Sequence, residues 1–197
     1  MASRAHDRDD VQVRTRPTLH LTAGLPGVGK TTRARRIAAE GSLLRLTPDE
    51  WMAPLFGDSN ADGRRDILEG RLIWVAYRVL RSSSSVVLDF GCWSPEERYA
   101  IRAVADRADA GFLLHYLELD EHERRARATH RWRTQPGTTF PMSDADHDRF
   151  LRSFQPPSRA ELVYEPAPDP PTGFGSWLQW ASHRWPTLPP LDEATFA

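Results

Sequence analysis

Gly24-Leu25-Pro26-Gly27-Val28-Gly29-Lys30-Thr31-Thr32 is the stretch on which the reading of this 197-residue chain turns. It fits G-x-x-x-x-G-K-[ST], a glycine turn whose backbone N–H groups cradle phosphate between a strand and a helix. Just before it, Leu19, Leu21 and Ala23 alternate with His20 and Thr22, which predicts a short strand. Just after it, Thr32 to Glu40 reads as a helix. Gly27 and Gly29 let the backbone approach an anion, and the helix N-terminus faces it with positive charge. All nine residues, Gly24, Leu25, Pro26, Gly27, Val28, Gly29, Lys30, Thr31 and Thr32, are therefore candidate nucleotide-binding residues. Lys30 is expected to reach the β- and γ-phosphates of ATP, and the Thr31 hydroxyl to complete a Mg²⁺ shell.

Composition sharpens the assignment of Lys30. Of 26 Lys and Arg residues it is the only lysine. Arginine has replaced lysine everywhere else, yet lysine stands where a bulky forked guanidinium fits poorly against a phosphate cradle. The net charge of −1 gives no global support for nucleic-acid or membrane binding. The single Cys92 excludes an intrachain disulfide and suits a reducing compartment. No apolar run is long enough to span a bilayer, and Met1 to Pro17 lacks the apolar stretch of a signal peptide, so a soluble cytoplasmic protein is expected.

Working outward, the chain alternates strands and helices, the pattern of an α/β protein with a mainly parallel sheet of about five strands flanked by helices. Leu43 to Leu46 predicts the second strand, ending at Thr47-Pro48-Asp49-Glu50, where proline and acids open a helical turn. Leu68, Leu72, Val75, Ala76 and Val79 recur at helical spacing over Asp66 to Arg81. Val86-Val87-Leu88 is an apolar strand ending at Asp89, and Ser94-Pro95-Glu96-Glu97 caps the next helix. Phe112 to Leu119 predicts another strand, Asp120 caps an Arg-rich helix to about Trp132, and Glu161 to Tyr164 predicts a last strand. The expected organisation is a flexible tail over 1–17, a catalytic domain over 18–165 with a small lid at about 131–145, and a Pro/Trp-rich extension over 166–197 packed on the domain. Trp177, Trp180 and Trp185 read as packing residues of that extension.

Two acids sit where an α/β site opens, at the carboxyl ends of strands. Asp49 follows the second strand, where an acid fits either of two roles, taking a proton from an attacking hydroxyl or supporting the start of the helix. Asp89 ends an apolar strand, the place either of an acid that holds Mg²⁺ through water or of one that caps the following turn, and in the first role Thr31 and Asp89 form the candidate metal set. Asp89-Phe90-Gly91 is not the magnesium motif of protein kinases, because no H-R-D loop accompanies it. His20, His115 and His130 have no metal-ligand spacing with Cys92.

With these residues in view, the chain resembles the small P-loop kinases of the zeta-toxin, chloramphenicol-phosphotransferase and polynucleotide-kinase type, AAA-like ATP-binding proteins with the P-loop NTPase fold. The matching pieces are Gly24 to Thr32, Leu46 to Asp49, Val86 to Trp93 with Glu97-Arg98, Arg124 to Arg131, and Phe154 to Pro157. The resemblance implies that Asp49 is the general base, that Thr134 to Ser143 closes as a lid, and that Arg131 first and Arg127 second reach the triphosphate. Arg124, Arg127 and Arg131 share one helical face, whereas Arg125 and Arg133 are expected in solvent. Arg98 and Arg102 fit either an anion site or a solvated face. Trp51, Phe56 and Trp93 are candidate walls of an acceptor pocket, and Trp74 reads as core. The expected activity is Mg²⁺-dependent transfer of phosphate from ATP to a small-molecule hydroxyl. A kinase for nucleic-acid ends and an ATP-hydrolysing switch are the alternatives, and the oligomeric state is open.

Overall fold

The computed structural model describes residues 16–57, 63–134 and 141–191. Four parallel strands, β1 (Thr18–Ala23), β2 (Leu44–Leu46), β3 (Val86–Leu88) and β4 (Gly111–Tyr116), lie in the order β2-β3-β1-β4. The register sets Leu19 beside Val86 and Phe112, and Leu21 beside Leu88 and Leu114. Central β3 is apolar at all three positions and wholly buried, as a parallel strand covered on both faces must be.

The helices are α1 (Lys30–Gly41), α2 (Met52–Phe56), α3 (Arg64–Arg81), α4 (Pro95–Arg107), α5 (Glu121–Thr134), α6 (Asp144–Ser153), α7 (Arg159–Leu162) and α8 (Trp177–Arg184). A single turn of 3₁₀ helix, Pro48–Glu50, precedes α2. The core runs from the sheet through α3 and α4 to the C-terminal extension, with Leu72, Ile73, Tyr77, Leu88, Ile101, Val104 and Trp185 all nearly inaccessible. Local capping signals set the starts of the helices. Ser94 Oγ accepts from Glu97 N, and Asp120 Oδ1 accepts from the N–H groups of His122 and Glu123.

The segment expected as a last strand is helical instead. Ser158 and Glu161 form a capping box that opens α7, and Leu162 and Val163 point into solvent. Tyr164 follows with φ 59°, and its hydroxyl accepts from the Leu114 N–H at 2.9 Å on the outer side of β4. The exposed edge is therefore blunted by one phenol rather than by another strand. Trp74 packs against the core between Arg71 and Arg78. The middle of the expected lid, 135–140, and most of the expected N-terminal tail lie outside the described residues. Among the described residues no helix is long and apolar enough to cross a membrane.

Candidate active site

Parallel topology brings the ends of β1, β3 and β2 side by side, and a cavity of about 910 Å³ opens there. Its floor is the loop between β1 and α1. Gly24, Gly27 and Gly29 hold φ of 144°, 92° and 100°. A Cβ at Gly24 would stand 2.5 Å from the Leu117 carbonyl oxygen, and one at Gly27 would stand 2.6 Å from that of Arg124. Both positions need glycine for space as well as for torsion. Gly29 is the N-cap of α1, so the helix N-terminus points into the cavity beside Lys30 and Thr31.

Lys30 Nζ donates to the carbonyl oxygens of Gly24 at 2.8 Å and Leu25 at 3.1 Å, folding over the cradle. Burial lowers its pKa to about 8, although Asp89 and Asp49 are close enough to favour its charge. Asp89 is buried at the end of β3. Its Oδ1 accepts from Thr22 Oγ1 at 3.2 Å and its Oδ2 from Arg45 Nη1 at 2.8 Å. Arg45 also donates to Glu50. Asp49, on the 3₁₀ turn, keeps its side chain 57% exposed to the cavity while Oδ1 accepts from Arg65 Nη1 at 2.9 Å. The structure thus brings Lys30, Thr31, Asp49, Asp89 and Arg131 around one space.

The other candidates are placed differently. Arg127 is 54% exposed, paired with Glu123, and absent from the cavity wall. At 3.6 residues per turn Arg131 returns to within about 20° of Arg124, whereas Arg127 lies about 60° away. Arg124 is fully buried and acts as a brace. Its Nη1 donates to the Pro26 carbonyl at 3.0 Å and meets His147 Nδ1 at 3.1 Å, while Glu121 holds the rest of the fork. Arg125 is not free in solvent, because it ties α5 to Asp144 and Asp148 of α6. Arg98 fits neither expectation made for it. At 1% exposure it is clamped by Glu161 at 2.6 and 3.1 Å and donates to the Cys92 and Gln155 carbonyls. Arg102 caps the carbonyls of Tyr164 and Glu165. Trp93 lines the cavity with Phe150, Trp51 is 45% exposed, and Phe56 packs against the core.

Sequence reasoning missed Arg45, Arg65, Glu69, Arg184 and Trp185, all on the cavity wall. One signal was available for Arg45. A charge between Leu44 and Leu46 in a strand needs a partner if it turns inward, and Asp89 is that partner. Arg65 and Glu69 stand one helical turn apart, which is an ion-pair spacing.

A family described as an AAA domain matches residues 19–157, and the chain belongs to that family. No curated protein is similar enough to count as a match. Among solved structures, a chain of the Pnkp1/Rnl/Hen1 RNA repair complex superposes with TM-score 0.60 at 18% identity, over 75% of this chain and 44% of that one. Chaetomium thermophilum Kti12, in complex with ADP-AlF3, gives TM-score 0.56 at 19% identity over 72% and 82% of the two chains. A gluconokinase from Sinorhizobium meliloti 1021 gives 0.50 at 16% identity over 92% and 96%. The chain spans less than half the length of the RNA-repair chain it matches. The fold is that of the P-loop kinases and NTPases, a parallel α/β sheet flanked by helices.

Proposed function

We propose that the protein is an ATP- and Mg²⁺-dependent phosphotransferase that phosphorylates a hydroxyl of a small molecule, a nucleoside, a sugar-containing metabolite or an antibiotic. The observation that carries this reading is that one cavity is lined at once by the phosphate loop and by a carboxylate open to solvent, Asp49. Its volume lies inside the range of about 300–1,000 Å³ typical of small-ligand sites. The loop N–H groups, the α1 N-terminus and Lys30 hold the triphosphate. Asp49 Oδ takes the acceptor hydroxyl proton as that oxygen bonds to the γ-phosphorus, and the bond to the β-γ bridging oxygen breaks to release ADP. Arg131 on α5 offsets charge on the moving phosphoryl group. Arg127 can join it only by leaving Glu123.

The residues present fit Mg²⁺. Thr31 and Asp89 offer two hard oxygen donors on the cavity wall. That sparse set suits an ion held by one or two protein oxygens together with substrate phosphates. When bound, Mg²⁺ supplies charge neutralisation at the β- and γ-phosphates. Asp89, whose two oxygens accept from Thr22 and Arg45, would help to hold the ion.

Lys30 gives a pH prediction. Its charge is present below about pH 8 and is lost above it in the free protein. Phosphate binds the charged form, so ADP affinity should be level from pH 6.5 to about 8 and then fall by up to about tenfold per unit. Calorimetric titration across pH 6.5–9.5 reads this directly, and affinity unchanged to pH 9.5 would contradict it. The function itself is tested by ADP production with and without added acceptor. A panel of nucleosides, sugars and antibiotics should contain compounds that raise ADP formation in proportion to acceptor phosphorylated. ADP formation indifferent to every compound would favour an ATP-hydrolysing switch.

A further inference from the structure

The family match ends at residue 157, yet the cavity wall does not. Arg184 and Trp185, at the end of α8, reach it from the C-terminal extension. Trp185 is 1% exposed and is met edge-on by Trp180 at 6.1 Å. Its indole is more than a packing group. Nε1 donates to Glu69 Oε2 at 3.0 Å. The other oxygen of Glu69 accepts from Arg65 Nε at 2.9 Å, and Arg65 Nη1 donates to Asp49 Oδ1 at 2.9 Å. Beside this chain of bonds, Arg184 spans Asp66 at 2.8 Å and Glu97 at 2.8 Å, fixing the end of α8 to both α3 and α4.

We infer that Trp185 is a positioning residue for phosphoryl transfer, acting through Glu69 and Arg65 to fix the Asp49 carboxylate towards the acceptor, so that the C-terminal extension completes a site the family domain leaves unfinished. This rests on the reading of Asp49 as the base. The physical argument is one of freedom. Asp49 stands on a three-residue turn, and Arg65 is a long, half-buried side chain with several rotamers. A guanidinium held only at Asp49 would swing with it. Clamped at Nε by a carboxylate that is itself fixed from the far side by a rigid indole, the fork has one orientation to offer. Glu69 is the vulnerable link. Burial raises its pKa, while Arg65 and the Trp185 N–H oppose that rise. The charged groups facing it are Arg65 on its own helix, Glu97 on α4 and Arg184 on α8. Removing the indole N–H lets Glu69 take a proton at higher pH, and a neutral Glu69 releases Arg65.

The test uses the full chain and two variants, Trp185→Phe, which keeps a ring but deletes the donor, and Glu69→Gln, which keeps the shape but deletes the charge. Nitrogen-15 NMR follows the Arg65 Nε–H signal. Calorimetry follows ADP binding, and transfer is followed with an acceptor found in the panel above. Both variants should move or broaden the Arg65 signal and bind ADP within about twofold. Both should lose about ten- to hundredfold in kcat with the KM for ATP held, the size expected when a reacting group is misplaced. In Trp185→Phe the acid limb of the pH profile should also move upward. An Arg65 signal unmoved in both variants overturns the inference. So does a kcat loss matched by loss of ATP binding with the acid limb in place, which is the mark of a purely structural role. Failure of the base reading looks different, because Asp49→Asn would then transfer as fast as the wild type whatever the Arg65 signal does.

Discussion

Asp49→Asn should lose about 10²–10⁴ in kcat for phosphoryl transfer, the usual worth of a general base, while ADP and ATP still bind. The substitution is informative because of what it spares. Asn keeps an oxygen that accepts from Arg65 Nη1, so the hydrogen bond that orients the side chain survives. Size and exposure are unchanged, and only the capacity to take a proton is gone. The hydrogen bonds that fold Lys30 over the phosphate loop do not involve Asp49, and Lys30 loses only one of the two carboxylates that favour its charge. Single-turnover transfer and calorimetric nucleotide binding, run in parallel, separate the two effects. Equal loss in both would mean that Asp49 serves nucleotide binding rather than the acceptor.

The second large effect is on stability and comes from a residue outside the site. Arg98→Ala should destabilise the fold by about 3–5 kcal/mol, the range for breaking a buried ion pair from one side. For a chain of this size that corresponds to a melting temperature lower by on the order of 10 °C. Arg98 is the cation that pairs with the buried Glu161 carboxylate, and it also satisfies two backbone carbonyls. Burial alone would raise the Glu161 carboxyl, yet the hydrogen bonds from Arg98 and Ser158 bring it below its ordinary value. The stabilisation is therefore complete above the ordinary carboxylate pKa and is lost as pH falls through the lowered one. Pairing Arg98→Met with Glu161→Gln should recover part of the loss, because no uncompensated charge is then left behind. Calorimetric melting of the wild type and the two variants checks this, and a shift under about 3 °C in Arg98→Ala would contradict it.

What could be read in the sequence was what is encoded locally. The phosphate loop, the caps at Ser94 and Asp120 and the apolar strand Val86 to Leu88 each carry their signal within a few residues. Where two local signals competed, the wrong one prevailed at Glu161 to Tyr164. The apolar run suggests a strand, but Ser158 and Glu161 stand at capping-box spacing and open a helix there. Burial of charge on the helices was not legible. Arg98 and Arg102 occupy one helix and look alike in the sequence, yet one is sealed against Glu161 and the other caps the exposed Glu165 carbonyl. Arg124 and Arg127 differ in the same way, since helical spacing puts both on the Arg131 face, yet Arg124 is buried and Arg127 pairs with Glu123 in solvent. The contribution of Trp185 depends on Glu69, 116 residues earlier, and no spacing rule joins them.

The central claim is that the γ-phosphate goes to an acceptor hydroxyl with Asp49 taking the proton. Following the fate of a γ-phosphate label tests it most directly. The protein, Mg²⁺ and γ-labelled ATP are mixed with the acceptor panel, and the label is divided between inorganic phosphate and phosphorylated compound. Label in an acceptor, at a rate that collapses in Asp49→Asn, is the predicted result. Label that appears only as inorganic phosphate, at the same rate in both proteins, would contradict it.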